Sequence, residues 1–192
     1  MKKEEKKIID KIIEANNLIV EIFSPKWWEN NLHIRKSFIE NIENEAEFCS
    51  KNDNWNIEIY KELLHFFNDN ILFKETLIQQ KDITHFHKIL NNKTKNKKMF
   101  KYIFENCNNI NNNFFRWVCL YFLLLYFKPF DKDNLILAKL FCQFELNKWW
   151  FMYYVVEDEI DEIKKLEDKE AKPLDLYVKF ANYIIAHYNL NR

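Results

Sequence analysis

The chain has 192 residues, and its 29 Lys plus Arg balance its 29 Asp plus Glu, so the formal net charge is zero. This balance argues against a general polyanion-binding protein, which normally carries a basic excess. The chain contains no glycine, which excludes Gly-rich phosphate loops, dinucleotide-binding fingerprints and the glycine-based nucleophile elbow.

Hydrophobic periodicity predicts an all-α fold that begins with a helix from Lys3 to Phe23. The apolar residues of this helix recur at helical spacing and form one face: Ile8, Ile12, Ala15, Ile19 and Ile22. Ser24-Pro25 is expected to end this helix and to start a second one from Pro25 to Phe48, because serine caps helices and proline fits their first turn.

The third predicted helix begins near Trp55, with Asp53 or Asn54 as its N-cap. It has two apolar faces, so we expect it to pack between neighbouring helices. Three shorter helices are predicted after it, at Asn70–Gln80, Ile83–Leu90 and Met99–Cys107.

Two asparagine-rich segments are predicted to break the helical structure, Asn91–Lys97 and Asn108–Asn113. After glycine, asparagine is among the residues that most readily adopt the left-handed conformation in which many helices end. Because this chain has no glycine, we expect asparagine to provide such helix ends.

The longest apolar segment predicts the centre of the fold. Phe114–Phe127 is apolar on all sides apart from Arg116, which is typical of a buried helix. Leu135–Leu146 is nearly as apolar, and the short connection between the two segments favours an antiparallel hairpin. A helix at Asn147–Lys169 follows. The last helix begins at Pro173 and has an apolar stripe at Leu174, Tyr177, Val178, Ala181, Ile184, Ile185 and Tyr188.

No shift in composition marks a linker, so we predict a single all-α domain over residues 1–192, a bundle of about seven to nine helices around this hairpin.

Four cysteines without CxxC spacing are interpreted as buried, reduced thiols of a cytoplasmic protein: Cys49, Cys107, Cys119 and Cys142. The charged N-terminus does not resemble a signal peptide. The longest apolar run, Val118–Phe127, is too short to span a bilayer, so no membrane association is expected. The oligomeric state stays open.

No residue pattern in the sequence predicts a catalytic site. Glu62 and His65 have the Glu-x-x-His spacing of di-iron helical bundles, which require a second such pair, and only Asp82-x-x-His85 approaches it. No nucleophile motif is present, and Ser24 is already explained as a helix cap. We therefore expect a non-enzymatic protein with no catalytic residues, no metal and no cofactor. An unrecognised metal centre is the alternative left open.

Five lysines lie close together in the chain, with Phe100 and Tyr102 among them: Lys93, Lys95, Lys97, Lys98 and Lys101. Clustered lysines can neutralise the phosphates of a nucleic acid, and neighbouring aromatic rings can stack on its bases. The same pattern is typical of a solvated loop, so both interpretations are kept.

Four acidic residues occupy neighbouring helical positions: Glu157, Asp158, Asp161 and Glu162. Like charges three or four residues apart destabilise an isolated helix by about 0.2–0.5 kcal/mol per pair. A cluster kept despite this cost indicates a surface for an electropositive partner protein. A solvated helix face is the alternative interpretation.

Three segments resemble motifs of the Bcl-2 family. The spacing of Tyr60, Leu64, Phe67, Asn68, Asp69 and Ile71 resembles that of a BH3 helix. Asn113–Val118 resembles the motif Asn-Trp-Gly-Arg-Ile-Val of the family's central helix, with Phe115 in place of the glycine, and Asn147–Trp150 resembles the second groove motif without its glycine pair. The resemblance implies a hydrophobic peptide groove and a pairing of Arg116 with Asp69.

The main functional hypothesis is a non-enzymatic protein-binding domain that presents the acidic residues to a basic partner. An immunity-type protein or an inhibitor that neutralises a toxin or a defence enzyme would work in this way. The alternatives are a nucleic-acid-associated accessory subunit that uses the five lysines, and a Bcl-2-like helical groove protein.

Overall fold

The computed structural model describes residues 1–22, 47, 56–70, 80–135, 137, 138, 141 and 171–190, and these residues confirm the all-α prediction. Six helices lie in this part of the chain: α1 Lys3–Ile22, α2 Ile57–Asn70, α3 Gln80–Ile89, α4 Lys97–Asn108, α5 Asn113–Phe127 and α6 Pro173–Leu190. Extended pairing within the same residues consists of one isolated antiparallel bridge, between Thr94 and Phe130.

The observed bounds agree closely with the predicted ones where both can be compared. α1, α4, α5 and α6 match their predictions to within about two residues, and α3 begins three residues before the predicted Ile83. The predicted helices at Pro25–Phe48, Asn70–Gln80 and Asn147–Lys169 lie outside the described residues, apart from Glu47, Asn70 and Gln80.

The described residues belong to two compact units. The first contains α1, α4, α5 and α6, and the second contains α2, α3 and the described residues between 131 and 141. The prediction of a single domain refers to all of residues 1–192, including those outside the described ranges, and it stays a prediction.

α5 is the centre of the first unit. Residues 114–125 are all buried, Arg116 included, which confirms a buried helix at this position. α5 packs against α1, α4 and α6. Its aromatic rings meet those of α6 edge to face, with 5.1 Å between the ring centres of Phe122 and Tyr177 and 5.4 Å between those of Tyr121 and Phe180. Such ring contacts add to the free energy gained from hydrophobic burial.

The buried face of α1 differs from the predicted stripe. Among the side chains of α1 that the structure describes, those fully buried are Ile9, Ile12 and Asn16, while the predicted Ile8, Ala15 and Ile19 are only half-buried. The side chain of the predicted Ile22 lies outside the described ones. The centre of the face is therefore displaced by one position towards a polar residue. The physical reason is a hydrogen bond that Asn16 makes inside the unit, which hydrophobic periodicity does not reveal.

The buried face of α6 also departs from its prediction. Tyr177, Ala181, Ile184 and Ile185 are buried as expected, but Leu174 and Val178 are each 38% exposed. Leu176 and Phe180 are buried in addition. Phe180 contacts the rings of α5, so the face is centred on those rings and the two exposed aliphatic residues lie at its flank.

The second unit is held together by aromatic contacts between α2 and α3. The Phe66 ring is stacked on His85 at 4.1 Å and meets Phe86 edge to face at 5.3 Å. Phe86 in turn meets Phe141 at 5.6 Å. Phe141 belongs to the predicted helix Leu135–Leu146, of which the described residues are helical. Because α5 lies in the other unit, the hairpin of these two helices stays a prediction.

Asparagine begins three of the helices. The Asn56 side chain accepts a hydrogen bond from the backbone N–H of Glu58 at 2.9 Å, so the cap of α2 is Asn56 and the prediction of Asp53 or Asn54 is wrong. Asn96 and Asn112 cap α4 and α5 in the same way. Each cap satisfies a backbone N–H that has no partner within its helix.

Helix ends confirm the prediction for asparagine at one of its two segments. Asn91 is left-handed (φ 47°) and ends α3, with hydrogen bonds from Asn91 N–H to Lys88 and from Asn92 N–H to His87. This is the Schellman arrangement, usually built on glycine. In the second segment, Asn109 follows the end of α4 and is right-handed, so the expectation is wrong there. The next helix, α5, ends on a left-handed lysine, Lys128 (φ 45°).

No helix within the described residues is both long and apolar enough to cross a membrane.

The left-handed Lys128 provides a test of the helix-end geometry. A residue with a Cβ atom is disfavoured in this conformation by about 1–2 kcal/mol, and the greater flexibility of glycine in the unfolded chain offsets about half of that. We therefore expect Lys128→Gly to raise the free energy of unfolding by about 0.5–1 kcal/mol. Urea unfolding followed by circular dichroism measures the change. Lys128→Ala is the matched control, because alanine removes the lysine side chain but keeps the Cβ atom. A glycine variant no more stable than the alanine variant would contradict the assignment.

Candidate functional site

The structure describes one of the two clusters predicted from the sequence. The acidic residues Glu157, Asp158, Asp161 and Glu162 lie outside the described residues. All five lysines are described and exposed: Lys93, Lys95, Lys97, Lys98 and Lys101. The geometry of a candidate binding surface is therefore built from the lysines.

The backbone that carries the lysines is held at several points. In the first unit, Asn96 N–H donates to the Pro129 carbonyl at 3.0 Å, and Thr94 bridges to Phe130. The Asn96 side chain then caps α4 by accepting from Met99 N–H at 3.1 Å. Lys95 and the first turn of α4 thus leave from a defined backbone next to the end of α5.

Lys93 belongs to the second unit, where its backbone is also fixed. Its N–H donates to the Asp131 carboxylate at 3.1 Å, and its carbonyl accepts from Asp131 N–H at 3.1 Å. The preceding residue, Asn92, is buried and donates from its side chain to the Lys132 carbonyl at 3.0 Å. The exposed Lys93 side chain therefore extends from an ordered turn.

The two aromatic residues beside the lysines have different surroundings. Phe100 is only 2% exposed and packs against Phe104 and Phe130, so it belongs to the core and cannot stack on a base. Tyr102 is half-buried. Its hydroxyl donates to the Asp10 carboxylate at 2.5 Å, and the Lys6 ammonium lies 5.2 Å from the centre of its ring. The pKa of Tyr102 is raised to about 12, mainly by desolvation of the hydroxyl and to a smaller extent by this hydrogen bond.

The described histidines do not combine into a metal site. His65 and His85 are exposed, and His87 is half-buried. Burial lowers the pKa of His87, and the nearby Asp131 carboxylate partly opposes the shift. In the described part of the chain no group of three or more His, Cys, Asp or Glu side chains could hold a metal ion. His33 and the side chain of His187 lie outside it.

A buried polar pair lies in the core of the first unit, and sequence analysis did not find it. The Tyr177 hydroxyl of α6 donates to Asn16 Oδ1 of α1 at 2.5 Å, and both residues are completely buried. The other half of the amide, Asn16 Nδ2, has no hydrogen-bond partner among the described residues. Burial raises the pKa of Tyr177 well above its ordinary value, with the nearby thiols Cys119 and Cys107 adding to the shift.

The two described cysteines agree with their interpretation as reduced core residues. Cys107 and Cys119 form no disulfide and are 1% and 0% exposed. Cysteine buried among apolar neighbours packs as a small hydrophobic residue. Cys49 and Cys142 lie outside the described residues.

Arg116, the one charged residue of α5, is buried and held by the backbone. Its Nε and Nη2 atoms donate to the Ile110 carbonyl at 2.9 and 2.6 Å. The contact connects the first turn of α5 to the segment that precedes it. The side chain of Asp69, the pairing partner implied by the Bcl-2 resemblance, lies outside those that the structure describes, so this pairing stays a prediction.

Comparisons with protein-family models, with curated proteins and with solved structures gave no match for this chain.

The buried Tyr177–Asn16 pair predicts a change of stability with pH. The folded protein holds the Tyr177 proton more tightly than the unfolded chain does, so unfolding releases this proton once the pH exceeds the ordinary pKa of 10. The contribution of Tyr177 to the free energy of unfolding is complete below pH 10 and is lost as the pH rises above it. Tyr177→Phe should be about 1–3 kcal/mol less stable at neutral pH, because Asn16 loses its partner, and its stability should depend less on pH above 10. Urea unfolding on both sides of pH 10 measures both effects.

Two further variants control this experiment. Tyr102→Phe removes a half-exposed hydroxyl, and solvent screening should make its effect smaller. The double variant Asn16→Leu/Tyr177→Phe replaces both partners with apolar groups and should be more stable than either single variant. A Tyr177→Phe variant whose stability declines with alkaline pH as steeply as that of the wild type would contradict the assignment.

Proposed function

We propose that this protein is a non-enzymatic protein-binding domain of the kind that serves as an immunity protein or an inhibitor. Its partner would be a basic protein, such as a toxin or a defence enzyme that it neutralises. The observation that carries the proposal is the placement of chemically reactive side chains in the described core. These side chains stabilise the packing of the helices and do not form a surface that could contact a substrate.

Three groups illustrate this use. The thiols of Cys107 and Cys119 are buried, whereas a catalytic thiol has to be accessible and activated. The Tyr177 hydroxyl is occupied by Asn16, and burial keeps it protonated by raising its pKa. The Arg116 guanidinium is bound to a backbone carbonyl. Each of these groups satisfies a need of the fold rather than contacting a partner.

The proposed contact surface is the acidic cluster of Glu157, Asp158, Asp161 and Glu162. Together with Glu159 they place five carboxylates within six residues, which gives a strong local negative potential and speeds association with a positively charged partner. The aromatic residues that precede the cluster, from Trp149 to Tyr154, would supply the apolar anchor that interfaces require for affinity.

The proposal includes the architecture of the whole chain. Residues 1–192 would form one all-α domain of about seven to nine helices, with Phe114–Phe127 and Leu135–Leu146 as its central antiparallel hairpin. The domain would act in the cytoplasm, since its described cysteines, Cys107 and Cys119, form no disulfide.

A nucleic-acid-associated accessory subunit is the second candidate function. The observation that favours it is the exposure of all five lysines from Lys93 to Lys101 on a backbone fixed by hydrogen bonds. A Bcl-2-like groove protein is the third, supported by the sequence resemblance alone. A metal-dependent enzyme would be identified by metal analysis of the purified protein.

The acidic cluster provides the test of the proposed function. Replacing its four residues with Gln or Asn should slow association with the partner and weaken the dependence of the association rate on salt. The fold should keep its stability or gain slightly, because like-charge repulsion is removed. The partner is first captured from the host with the wild-type protein and identified by mass spectrometry. Association of the purified pair is then measured by stopped-flow fluorescence.

A matched control removes four acidic charges elsewhere. Its positions are exposed glutamates of α1 and α2: Glu4, Glu14, Glu58 and Glu62. Changed to Gln, they should leave the association rate much closer to that of the wild type. Equal association rates for the wild type and the cluster variant would refute the role of the acidic cluster.

A further inference from the structure

Exposed lysines are concentrated at the start of α4 and in the first turns of α1. Residues 95–101 contain four lysines and no acidic residue, and residues 2–11 contain five lysines against three acidic residues. All of these lysines are exposed. Positive charge is thus concentrated locally in a chain whose net charge is zero.

Two helices contribute to one basic surface. The Lys6 ammonium lies over the Tyr102 ring and Tyr102 binds Asp10, so the first turns of α1 lie beside α4. The first turns of α4 and the residues just before it carry four more exposed lysines. We call this set the α1–α4 basic surface: Lys6, Lys95, Lys97, Lys98 and Lys101. Sequence analysis missed Lys6, which is far from the other lysines in the chain.

The lysines of α4 occupy positions that do not favour helix stability. Lys97 and Lys98 lie in the first turn, where the helix dipole is positive and acidic residues are preferred, and this turn contains none. The one ion pair that these lysines make within the described residues joins Lys101 to Glu105 at 3.6 Å, with both side chains mostly exposed. A pair so exposed contributes little to stability. The charges thus remain available to an anionic partner.

The surface favours phosphate contacts over either base recognition or a protein interface. Base stacking requires an accessible ring, but Phe100 is buried and Tyr102 is held by Lys6 and Asp10. Because Phe100 is buried and Tyr102 is engaged by Lys6 and Asp10, neither of these two residues supplies the apolar anchor that a protein partner would need. Lysine ammonium groups on flexible stems, in contrast, suit the phosphates of a nucleic-acid backbone.

We propose that the α1–α4 basic surface binds the phosphate backbone of nucleic acids without reading their base sequence. This inference rests on the second candidate function and specifies its mode. It is independent of the acidic cluster, so the protein-binding proposal neither supports it nor depends on it.

The salt dependence of binding tests this mode. Fluorescence anisotropy is measured with the full chain and short labelled DNA duplexes of unrelated sequence, over a series of salt concentrations. If all five lysines contact phosphates, the logarithm of the association constant should fall linearly as the logarithm of the salt concentration rises. The slope should be about −4 to −5 and the same for each sequence. Lys97→Gln/Lys98→Gln should make the slope shallower by about 1.8 and weaken binding at each salt concentration. The melting temperature of this variant should stay the same or rise, because unfavourable charge leaves the helix N-terminus.

The matched control is Lys172→Gln/Lys179→Gln, which removes two exposed lysines of the same unit, one just before α6 and one within it. It should leave the slope close to that of the wild type. Equal slopes for the wild type and the Lys97/Lys98 variant, or affinities that differ at least tenfold between sequences, would overturn this mode while leaving a nucleic-acid function possible. No binding to any duplex at low salt would overturn the mode and the second candidate function together. Equally tight binding of poly-glutamate would overturn the assignment to nucleic acid in favour of an acidic protein.

Discussion

A helix that is apolar on every side has to be covered on every side, and the first unit depends on this constraint. α5 has twelve consecutive buried residues, 114–125. α1, α4 and α6 all pack against it, so three sequence-distant parts of the chain are brought together by one segment. The single charge of α5 is compatible with this burial because Arg116 donates two hydrogen bonds to the Ile110 carbonyl. A buried charge without such partners would be strongly destabilising.

The lack of glycine shapes the connections between the helices. Asparagine side chains satisfy the first N–H groups of α2, α4 and α5, and left-handed backbone among the described residues is provided by Asn91, Lys128 and Asp133. Asparagine tolerates this conformation because its short polar side chain can bond locally, but lysine has no such advantage. The end of α5 therefore carries a conformational cost that glycine would avoid, and the buried helix before it contributes enough stability to tolerate that cost.

Local periodicity was enough to predict most of the described helices but not the faces they bury. The bounds of α4 and α5 follow from apolar runs between asparagine-rich breaks, and these signals are local. The centre of the α1 face is set by Asn16, whose partner Tyr177 is 161 residues away in the chain. The same limit applies to the candidate site. Lys95, Lys97, Lys98 and Lys101 are close together in the sequence and were found, whereas Lys6 joins them through Tyr102 and only the fold brings it there.

Surface charge shows why whole-chain composition is a weak guide to binding. At physiological salt, interactions between exposed charges are screened over about 8 Å, which is much less than the width of a domain. An approaching phosphate therefore responds to Lys97, Lys98 and Lys101 and is nearly insensitive to acidic residues on distant parts of the surface. A net charge of zero excludes a uniformly basic protein, but it is compatible with separate basic and acidic surfaces. What decides recognition is which charges the fold places within one screening length of each other.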